Sequence, residues 1–181
     1  WDSIIPNLVS GNYDTIIAGM SITDERDEVI DFTQPYLPPD PSSYMVLSGM
    51  EDVDLDGAVV AAQTGTIQAA HIAETGATLV EFATPDETIA AVRNGEADAV
   101  LADKAYLEPV ANESGGELLL VEDVMLGGGV GMGLRESDAE LRETFDSVIT
   151  AMKEDGTLNP MIRKWFGEEA QIWGEEDEGG R

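Results

Sequence analysis

Arg26 is the only lysine or arginine among the first 92 residues of the chain, and acidic residues surround it. A guanidinium can meet a carboxylate with two parallel hydrogen bonds, so its position predicts a binding site for a small anion. The alternative is a local ion pair, for which Asp24, Asp27 and Glu28 are available. Taken alone, Arg26 does not decide between the two roles.

A second anion-binding element is predicted around Thr66. The segment Val59–Ile67 passes from an apolar strand through a turn at Gly65 into a helix. Such a turn directs free backbone N–H groups toward an anion, aided by the helix dipole and by the Thr66 hydroxyl. An ordinary strand-to-helix turn, in which Thr66 only caps the helix, is the alternative.

Asp103 is predicted to lie just beyond the C-terminal end of a strand at Ala97–Leu101. In open α/β sheets ligands bind at this edge, and a carboxylate there can hold an ammonium group. A helix N-cap is the alternative role. Together with Arg26 and Thr66, Asp103 would supply both halves of a clamp for a zwitterion.

Other patterns give weaker candidate sites. Asp52, Asp54 and Asp56 resemble the start of a calcium loop, but its twelfth position is Gln63, where a bidentate glutamate is required. An acidic turn is therefore predicted. The chain has no cysteine and a single histidine, His71, so it offers neither a zinc cluster nor a histidine-based serine triad. We expect no metal, no cofactor and no catalytic residue.

The composition indicates a folded protein with a strongly acidic surface. The 181 residues include 37 acids against 9 bases, a net charge of -28, and 43% hydrophobic residues. Such self-repulsion is screened at molar salt, where the Debye length falls to about 3 Å, so we expect a halophilic source. The charge argues against nucleic acid and anionic membranes as partners, because phosphate binding requires clustered Lys and Arg.

Apolar segments bounded by turn residues predict strands, and the segments between several of them predict helices. The predicted strands are Thr15–Ala18, Tyr44–Leu47, Ala58–Ala62, Thr78–Phe82, Ala97–Leu101 and Leu118–Val121. The predicted helices among them are Thr66–Glu74, Pro85–Asn94 and Lys104–Ser114. From about residue 58 to 121 this alternation predicts a mostly parallel sheet with right-handed crossovers.

Helices are also predicted near both ends of the chain. The opening segment has apolar residues at helical spacing. Near the other end, Ser137-Asp-Ala-Glu140 matches a capping box at the start of a helix that Gly156 ends. A shorter helix follows and ends at Gly167.

A series of motifs extends from the first residue to about Gly167. They are Trp1-Asp-Ser-Ile-Ile-Pro, Ala18-Gly-Met-Ser21-Ile-Thr-Asp-Glu-Arg26, Asp31-Phe-Thr-Gln-Pro-Tyr36, Gln63-Thr-Gly-Thr66, Asn94-Gly-Glu-Ala-Asp98-Ala-Val, Gly131-Met-Gly-Leu-Arg135 and Lys164-Trp-Phe-Gly167. In this order and combination they resemble the family-3 extracellular solute-binding proteins, the polar amino-acid receptors of ABC uptake systems.

The resemblance implies an α/β fold of the periplasmic-binding-protein type (type II), with two lobes joined by two hinge strands and closing on an amino acid. It places lobe one at residues 1–46 and 128–167, lobe two at 47–127, and an acidic, disordered tail at 168–181. Family members have a first strand and helix before the position of Trp1. The resemblance therefore also implies that this segment of lobe one is missing and that the chain is truncated at its N-terminus.

The resemblance assigns three binding residues to lobe one. Carried over position by position, Arg26 grips the α-carboxylate of the ligand. Ser21 and the backbone at Gly19 add hydrogen bonds to it.

Four further residues are assigned to lobe two. Thr66 and the N–H of Ile67 hold the same carboxylate, and Asp103 takes the α-ammonium. Gln63 lies where side-chain selectivity is partly set. The family often has a second hydroxyl at the position of Ile67, so here only the backbone donor is expected.

The function implied is non-enzymatic capture of a free, zwitterionic amino acid outside the cytoplasm and its delivery to ABC permease subunits. We expect a monomer in the periplasm or at the cell surface, with a signal peptide, or a lipid anchor, in the full-length protein. Two other functions stay open. One is a dehydratase of the cyclohexadienyl type, which needs a buried carboxylic acid in the cleft. The other is a sensing domain of a receptor or channel.

Overall fold

A computed structural model describes residues 1–174 of the chain, which fall into two units. Unit one contains Trp1–Asp2 and Asp40–Leu126, and unit two contains Ser3–Pro39 and the described chain from Gly127 onward. The resemblance predicts boundaries after residues 46 and 127. The first boundary lies earlier, because the strand Pro41–Leu47 is a hydrogen-bonded member of the sheet of unit one.

Helices and strands alternate along much of the described chain. The helices are α1 (Ile4–Val9), α2 (Asp24–Asp27), α3 (Ile67–Ala73), α4 (Pro85–Arg93), α5 (Lys104–Glu113), α6 (Ala139–Glu154) and α7 (Leu158–Phe166). The strands are β1 (Asp31–Phe32), β2 (Pro41–Leu47), β3 (Val59–Gln63), β4 (Thr78–Phe82), β5 (Ala99–Asp103), β6 (Leu118–Met125) and β7 (Gly133–Leu134). No helix within residues 1–174 combines the length and the apolar character needed to cross a lipid bilayer.

Unit one is built on a five-stranded sheet with the order β4-β3-β5-β2-β6. β3 is parallel to β4 and to β5, as the alternation of strands and helices predicts. β6 does not pair with β5, however, because β2 lies between them and is antiparallel to both. The prediction of a mostly parallel sheet is therefore wrong at this side, where a strand from earlier in the chain is inserted.

The two faces of this sheet pack against different helices. Successive residues of β3 point to opposite faces: Val60 lies in the cluster with Ile72 of α3, while Ala61 lies in the cluster with Val92 of α4 and Leu107 of α5. All five are buried. Both faces are thus covered, which explains the nearly continuous apolar sequence of the central strands.

Unit two has a small two-stranded sheet, in which β1 and β7 are antiparallel. The predicted strand Thr15–Ala18 is not formed; only Ile16 forms a bridge, with Gly133. Gly19 follows with a φ of 67 and turns the chain away. A Cβ at Gly133 would lie 3.1 Å from the Ile30 side chain and 3.3 Å from Ile16, so the close packing here requires a small residue.

The C-terminal helices α6 and α7 end as predicted, since Gly156 and Gly167 follow them with φ values of 78 and 99. The predicted capping box of α6 is not present. Asp138 occupies the N-cap and makes no capping hydrogen bond. Its carboxylate instead binds Arg135, with Nη2 and Oδ2 2.8 Å apart, and accepts a hydrogen bond from the Ser137 hydroxyl.

Residues 168–174 pack against other residues of unit two. The Asn159 side chain exchanges two hydrogen bonds, each 2.9 Å long, with the backbone of Trp173. The Trp173 indole N–H donates to the Tyr36 carbonyl at 3.0 Å. This segment differs from the predicted disordered tail, and residues 175–181 lie outside the described residues.

Candidate functional site

Arg26 is held by the one-turn helix α2 of unit two. Thr23 is the N-cap residue, and its hydroxyl accepts a hydrogen bond from the Arg26 N–H at 3.2 Å. Three acidic residues in the first turn suit the positive end of the helix dipole. The guanidinium extends back along the chain and donates from Nη1 to the Ser21 carbonyl at 2.8 Å.

The Arg26 guanidinium carries a positive charge in a half-buried environment. Burial lowers its pKa, and the nearby Glu25 carboxylate raises it. Arginine remains protonated in proteins at neutral pH, so the charge is retained. A half-buried guanidinium presents a stronger field to an anion than one in bulk water, because the local dielectric constant is lower.

Gly19 and Ser21 lie in the same segment of unit two. Ser21 forms an isolated bridge with Val130. Burial raises the pKa of Tyr36, and the nearby Gly19 backbone lowers it, so the Tyr36 side chain lies beside this segment. The direct contact between Arg26 and Ser21 brings these two predicted site residues together, and Gly19 lies two residues before Ser21.

Gln63 and Asp103 are the last residues of two parallel strands, β3 and β5, and therefore lie at the same edge of the sheet of unit one. Gly65, with a φ of 74, forms the turn from β3 into α3. This confirms the predicted strand, turn and helix. It places the start of α3 at the carboxyl end of the parallel strands, the edge at which ligands bind in such sheets.

Thr66 caps α3. Its hydroxyl accepts a hydrogen bond from the Ala69 N–H at 3.2 Å and donates one to the Gln63 carbonyl at 2.7 Å. The Ala70 N–H bonds to the Thr66 carbonyl. The N–H groups of Ile67 and Gln68 have no acceptor within the helix, because they belong to its first turn. Capping and anion binding are therefore compatible at this turn.

Asp103 occupies the N-cap position of α5, but its carboxylate forms no capping hydrogen bond. Oδ1 instead accepts a hydrogen bond from Gln68 Nε2 at 2.7 Å. Burial among protein atoms raises the pKa of Asp103, and the Gln68 hydrogen bond lowers it. The predicted alternative of a side-chain helix cap is not what the structure shows.

Gln68 contacts the candidate site residue Asp103 and was not predicted from the sequence. It is 5% exposed, and its Nε2 atom donates to the Ser42 hydroxyl at 3.0 Å as well as to Asp103. Ser42 lies directly opposite Asp103 in the pairing of β2 with β5. The sequence pattern that could have indicated this role is a glutamine at a buried position of α3, between Thr66 and the core residue Ile72, because a buried polar side chain requires hydrogen-bond partners.

The turn at the start of α3 is fixed from both sides. Gln63 Nε2 donates to the Ala83 carbonyl at 3.0 Å, which ties the end of β3 to the loop after β4. Trp1, which belongs to unit one, donates from its indole N–H to the Gly65 carbonyl at 3.1 Å. The N–H groups at the start of α3 are thus held in place before any ligand is present.

The neighbourhood of Asp103 carries a negative electrostatic potential. Burial raises the pKa of Asp40, and the charge of Asp103 raises it further. The nearby Lys104 ammonium is 2.6 Å from an Asp123 carboxylate oxygen. This ion pair compensates part of the positive charge, so the negative charge of Asp40 and Asp103 prevails here and favours a cation.

Comparison with known proteins gives a consistent result. Residues 1–168 match the bacterial extracellular solute-binding proteins, family 3. The crystal structure of a periplasmic His/Glu/Gln/Arg/opine family-binding protein from Silicibacter pomeroyi in complex with lysine is 75% identical in sequence, with a TM-score of 0.90 over 96% of this chain and 78% of that chain. The histidine-binding periplasmic protein of Salmonella typhimurium is 30% identical over 181 residues, covering 91% of this chain and 69% of that protein.

A third similar protein bears on the enzyme alternative. The crystal structure of an ancestral amino acid-binding protein, a precursor of cyclohexadienyl dehydratase, is 29% identical, with a TM-score of 0.78 over 92% of this chain and 74% of that chain. Even this relative is described as a binding protein. The structural similarities confirm the predicted α/β fold of the periplasmic-binding-protein type.

Proposed function

Since this chain belongs to the bacterial extracellular solute-binding proteins, family 3, we propose that it binds a free amino acid outside the cytoplasm and delivers it to an ABC permease. The observation that carries the proposal is the Asp103 carboxylate, which is bound by Gln68 and not used to cap α5. A carboxylate so placed, at the ligand-binding edge of a parallel sheet, is suited to an ammonium group.

We propose that unit two supplies the main contact to the α-carboxylate. The Arg26 guanidinium has a planar fork of donors that matches a carboxylate. The Ser21 hydroxyl adds a donor beside it, and the backbone at Gly19 adds a hydrogen bond. Support comes from the 2.8 Å hydrogen bond that fixes the guanidinium against the Ser21 carbonyl.

On unit one, we propose that the Ile67 N–H binds the same carboxylate, joined by the Thr66 hydroxyl when its proton turns from the Gln63 carbonyl to the ligand, and that Asp103 binds the α-ammonium. Gln63 contributes to the choice of side chain. Charge-assisted hydrogen bonds contribute about 1.5–3 kcal/mol each. Micromolar affinity requires roughly 8 kcal/mol, so a handful of such bonds is sufficient after ordering costs.

The ligand class we propose is a basic amino acid, with lysine as the first candidate. The 75% identical protein from Silicibacter pomeroyi was crystallised in complex with lysine, and the Salmonella typhimurium relative is named for histidine. On this chain, Asp40 and Asp103 give unit one a negative potential that favours a ligand with an additional positive charge.

The enzyme alternative has less support. A dehydratase of the cyclohexadienyl type needs a carboxylic acid at the leaving group, and we propose that Asp103 serves as an ionised counter-charge instead. Incubation with prephenate or arogenate is therefore expected to yield no product. Product formation that Asp103→Asn abolishes would establish the enzyme.

A thermal-shift screen of the twenty amino acids at molar KCl tests the proposed function. A ligand that binds only the folded state raises Tm as its concentration increases. At one hundred times Kd it adds about 2.7 kcal/mol to the free energy of unfolding. We expect lysine to raise Tm and neutral or acidic amino acids to do so less. If none of the twenty raises Tm, the proposed function is wrong.

A further inference from the structure

Trp173 is the centre of a contact between the end of the described chain and the body of unit two. Residues 168–174, which we name the strap, are bound to α7 through the two hydrogen bonds between Asn159 and the Trp173 backbone. The Lys153 ammonium of α6 lies 3.5 Å from the centre of the Trp173 ring. The strap is therefore held by both C-terminal helices.

The same ammonium connects the strap to the segment at residues 34–36. Lys153 Nζ donates to the Gln34 side-chain carbonyl at 3.0 Å. Gln34 is bound to α6 by three further hydrogen bonds, two to Asp146 and one to Thr150. The Trp173 indole N–H bonds to the Tyr36 carbonyl two residues on. Both ends of this short segment are thus fixed, one by α6 and the other by the strap.

Tyr36 in turn contacts the segment that holds Arg26. Its backbone N–H donates to the Val130 carbonyl at 2.8 Å, and Val130 also forms the bridge with Ser21. A shift of the Tyr36 backbone would therefore displace Val130, and with it the Ser21 backbone that is bridged to Val130.

We propose that Trp173 is a positioning residue for amino-acid binding, acting through Tyr36 and Val130 on Ser21. The inference rests on the proposed function, because it assumes that the Gly19–Ser21 segment and Arg26 bind the ligand. Trp173 does not touch the ligand itself. Its indole N–H fixes the Tyr36 carbonyl, the Tyr36 N–H is bonded to Val130, and the bridge from Val130 sets the position of Ser21, whose carbonyl is bonded to Arg26.

Hydrogen exchange measured by mass spectrometry on the ligand-free protein tests the coupling directly. Trp173→Phe keeps a ring for Lys153 but removes the indole N–H. Peptides covering residues 16–22 are expected to exchange faster than in the wild type. Trp165→Phe is the matched control, because Trp165 is 72% exposed on α7; it should leave this segment unchanged. Unchanged exchange at residues 16–22 in Trp173→Phe would overturn the inference.

Calorimetric titration with lysine then measures the effect on binding. We expect Trp173→Phe to weaken affinity about two- to tenfold, the effect of losing one neutral hydrogen bond, and Trp165→Phe to leave it unchanged. A purely structural role would lower Tm without altering Kd, and that result contradicts the inference. Should Trp173→Phe fail to fold, Asn159→Ala releases the strap backbone and keeps the indole, and the same two outcomes apply.

The two proposals can fail separately. If the wild-type protein binds none of the twenty amino acids, the proposed function fails, and hydrogen exchange alone decides whether Trp173 positions the segment at Ser21. If the wild type binds lysine and Trp173→Phe binds it equally well, only the positioning role is lost.

Discussion

At the scale of single residues, some side chains form hydrogen bonds that stabilise a helix, and others are those we propose to bind the ligand. Thr66 uses its hydroxyl on two backbone partners and stabilises α3. Asp103, at the corresponding N-cap of α5, makes no such bond and is held by Gln68. These two N-cap residues at one sheet edge thus have different partners, and a substitution at each should separate the effect on stability from the effect on binding.

Asp103→Asn is expected to weaken lysine binding by about 2–5 kcal/mol, or roughly thirty-fold to several-thousand-fold in Kd, because it removes the counter-charge and keeps the shape. Stability should not fall. Burial raises the pKa of Asp103, so the ionised form is disfavoured in the folded protein at neutral pH, and a neutral amide relieves this cost.

Calorimetry, with Tm measured alongside, checks the Asp103 prediction. Asp52→Asn is the matched control, since it makes the same change of charge at an exposed position of unit one. Unchanged lysine affinity in Asp103→Asn would remove the ammonium role.

Arg26→Ala is expected to abolish lysine binding and to leave the protein folded. Loss of a guanidinium that pairs with a bound carboxylate costs about 2–5 kcal/mol or more. Arg26→Lys should restore binding only weakly, because it keeps the charge and loses the two-pronged geometry. Titration calorimetry and circular dichroism measure the two effects, and tight binding by the Ala variant would disprove the carboxylate role.

At the scale of helices and strands, the positions of the proposed binding residues Gln63, Thr66 and Asp103 depend on where β3 and β5 end and where α3 begins. Thr66→Ala removes the side-chain cap of α3 and should lower the free energy of unfolding by about 0.5–2 kcal/mol. Thr157→Ala is a matched control, because Thr157 occupies the N-cap of α7 without a side-chain capping bond. Urea denaturation measures both, and equal losses in the two variants would contradict the capping role of Thr66.

Local sequence patterns predicted these elements well, but they did not predict which distant strands pair with one another. α3, α4, α5 and β4 follow from periodicity and turn residues, and their observed bounds agree with the predicted ones to within one residue at each end. The insertion of β2 between β5 and β6 was not predicted, since no local signal marks which distant strands pair. Gln68 was missed for the same reason: its role depends on the register that places Ser42 opposite Asp103.

Another prediction that was wrong concerns the start of α6. The predicted capping box of α6 was wrong because the helix begins one residue later than the motif implies: Asp138 and not Ser137 is at the N-cap, and its carboxylate binds Arg135. Arg135 also donates to the carbonyls of Leu8 and Tyr13, so it connects α1 and α6 within unit two. These two carbonyls are more than 100 positions from Arg135, so the local pattern could not show what holds the Arg135 side chain in place.

At the scale of the whole molecule, charge is the dominant property. With 37 acids against 9 bases, the folded state is opposed by self-repulsion that salt screens. Tm is therefore expected to rise between millimolar and molar KCl. Circular dichroism melts across that range check this, and a constant Tm would remove the expectation of a halophilic source.

The most direct test of the central claim is calorimetric titration with lysine and two analogues at molar KCl. Cadaverine lacks the carboxylate of lysine, and 6-aminohexanoate lacks the α-ammonium. If Arg26 and Asp103 bind the two charges of one zwitterion, each analogue should bind at least about thirty-fold more weakly than lysine, the equivalent of about 2 kcal/mol. Affinity for either analogue equal to that for lysine would contradict the claim.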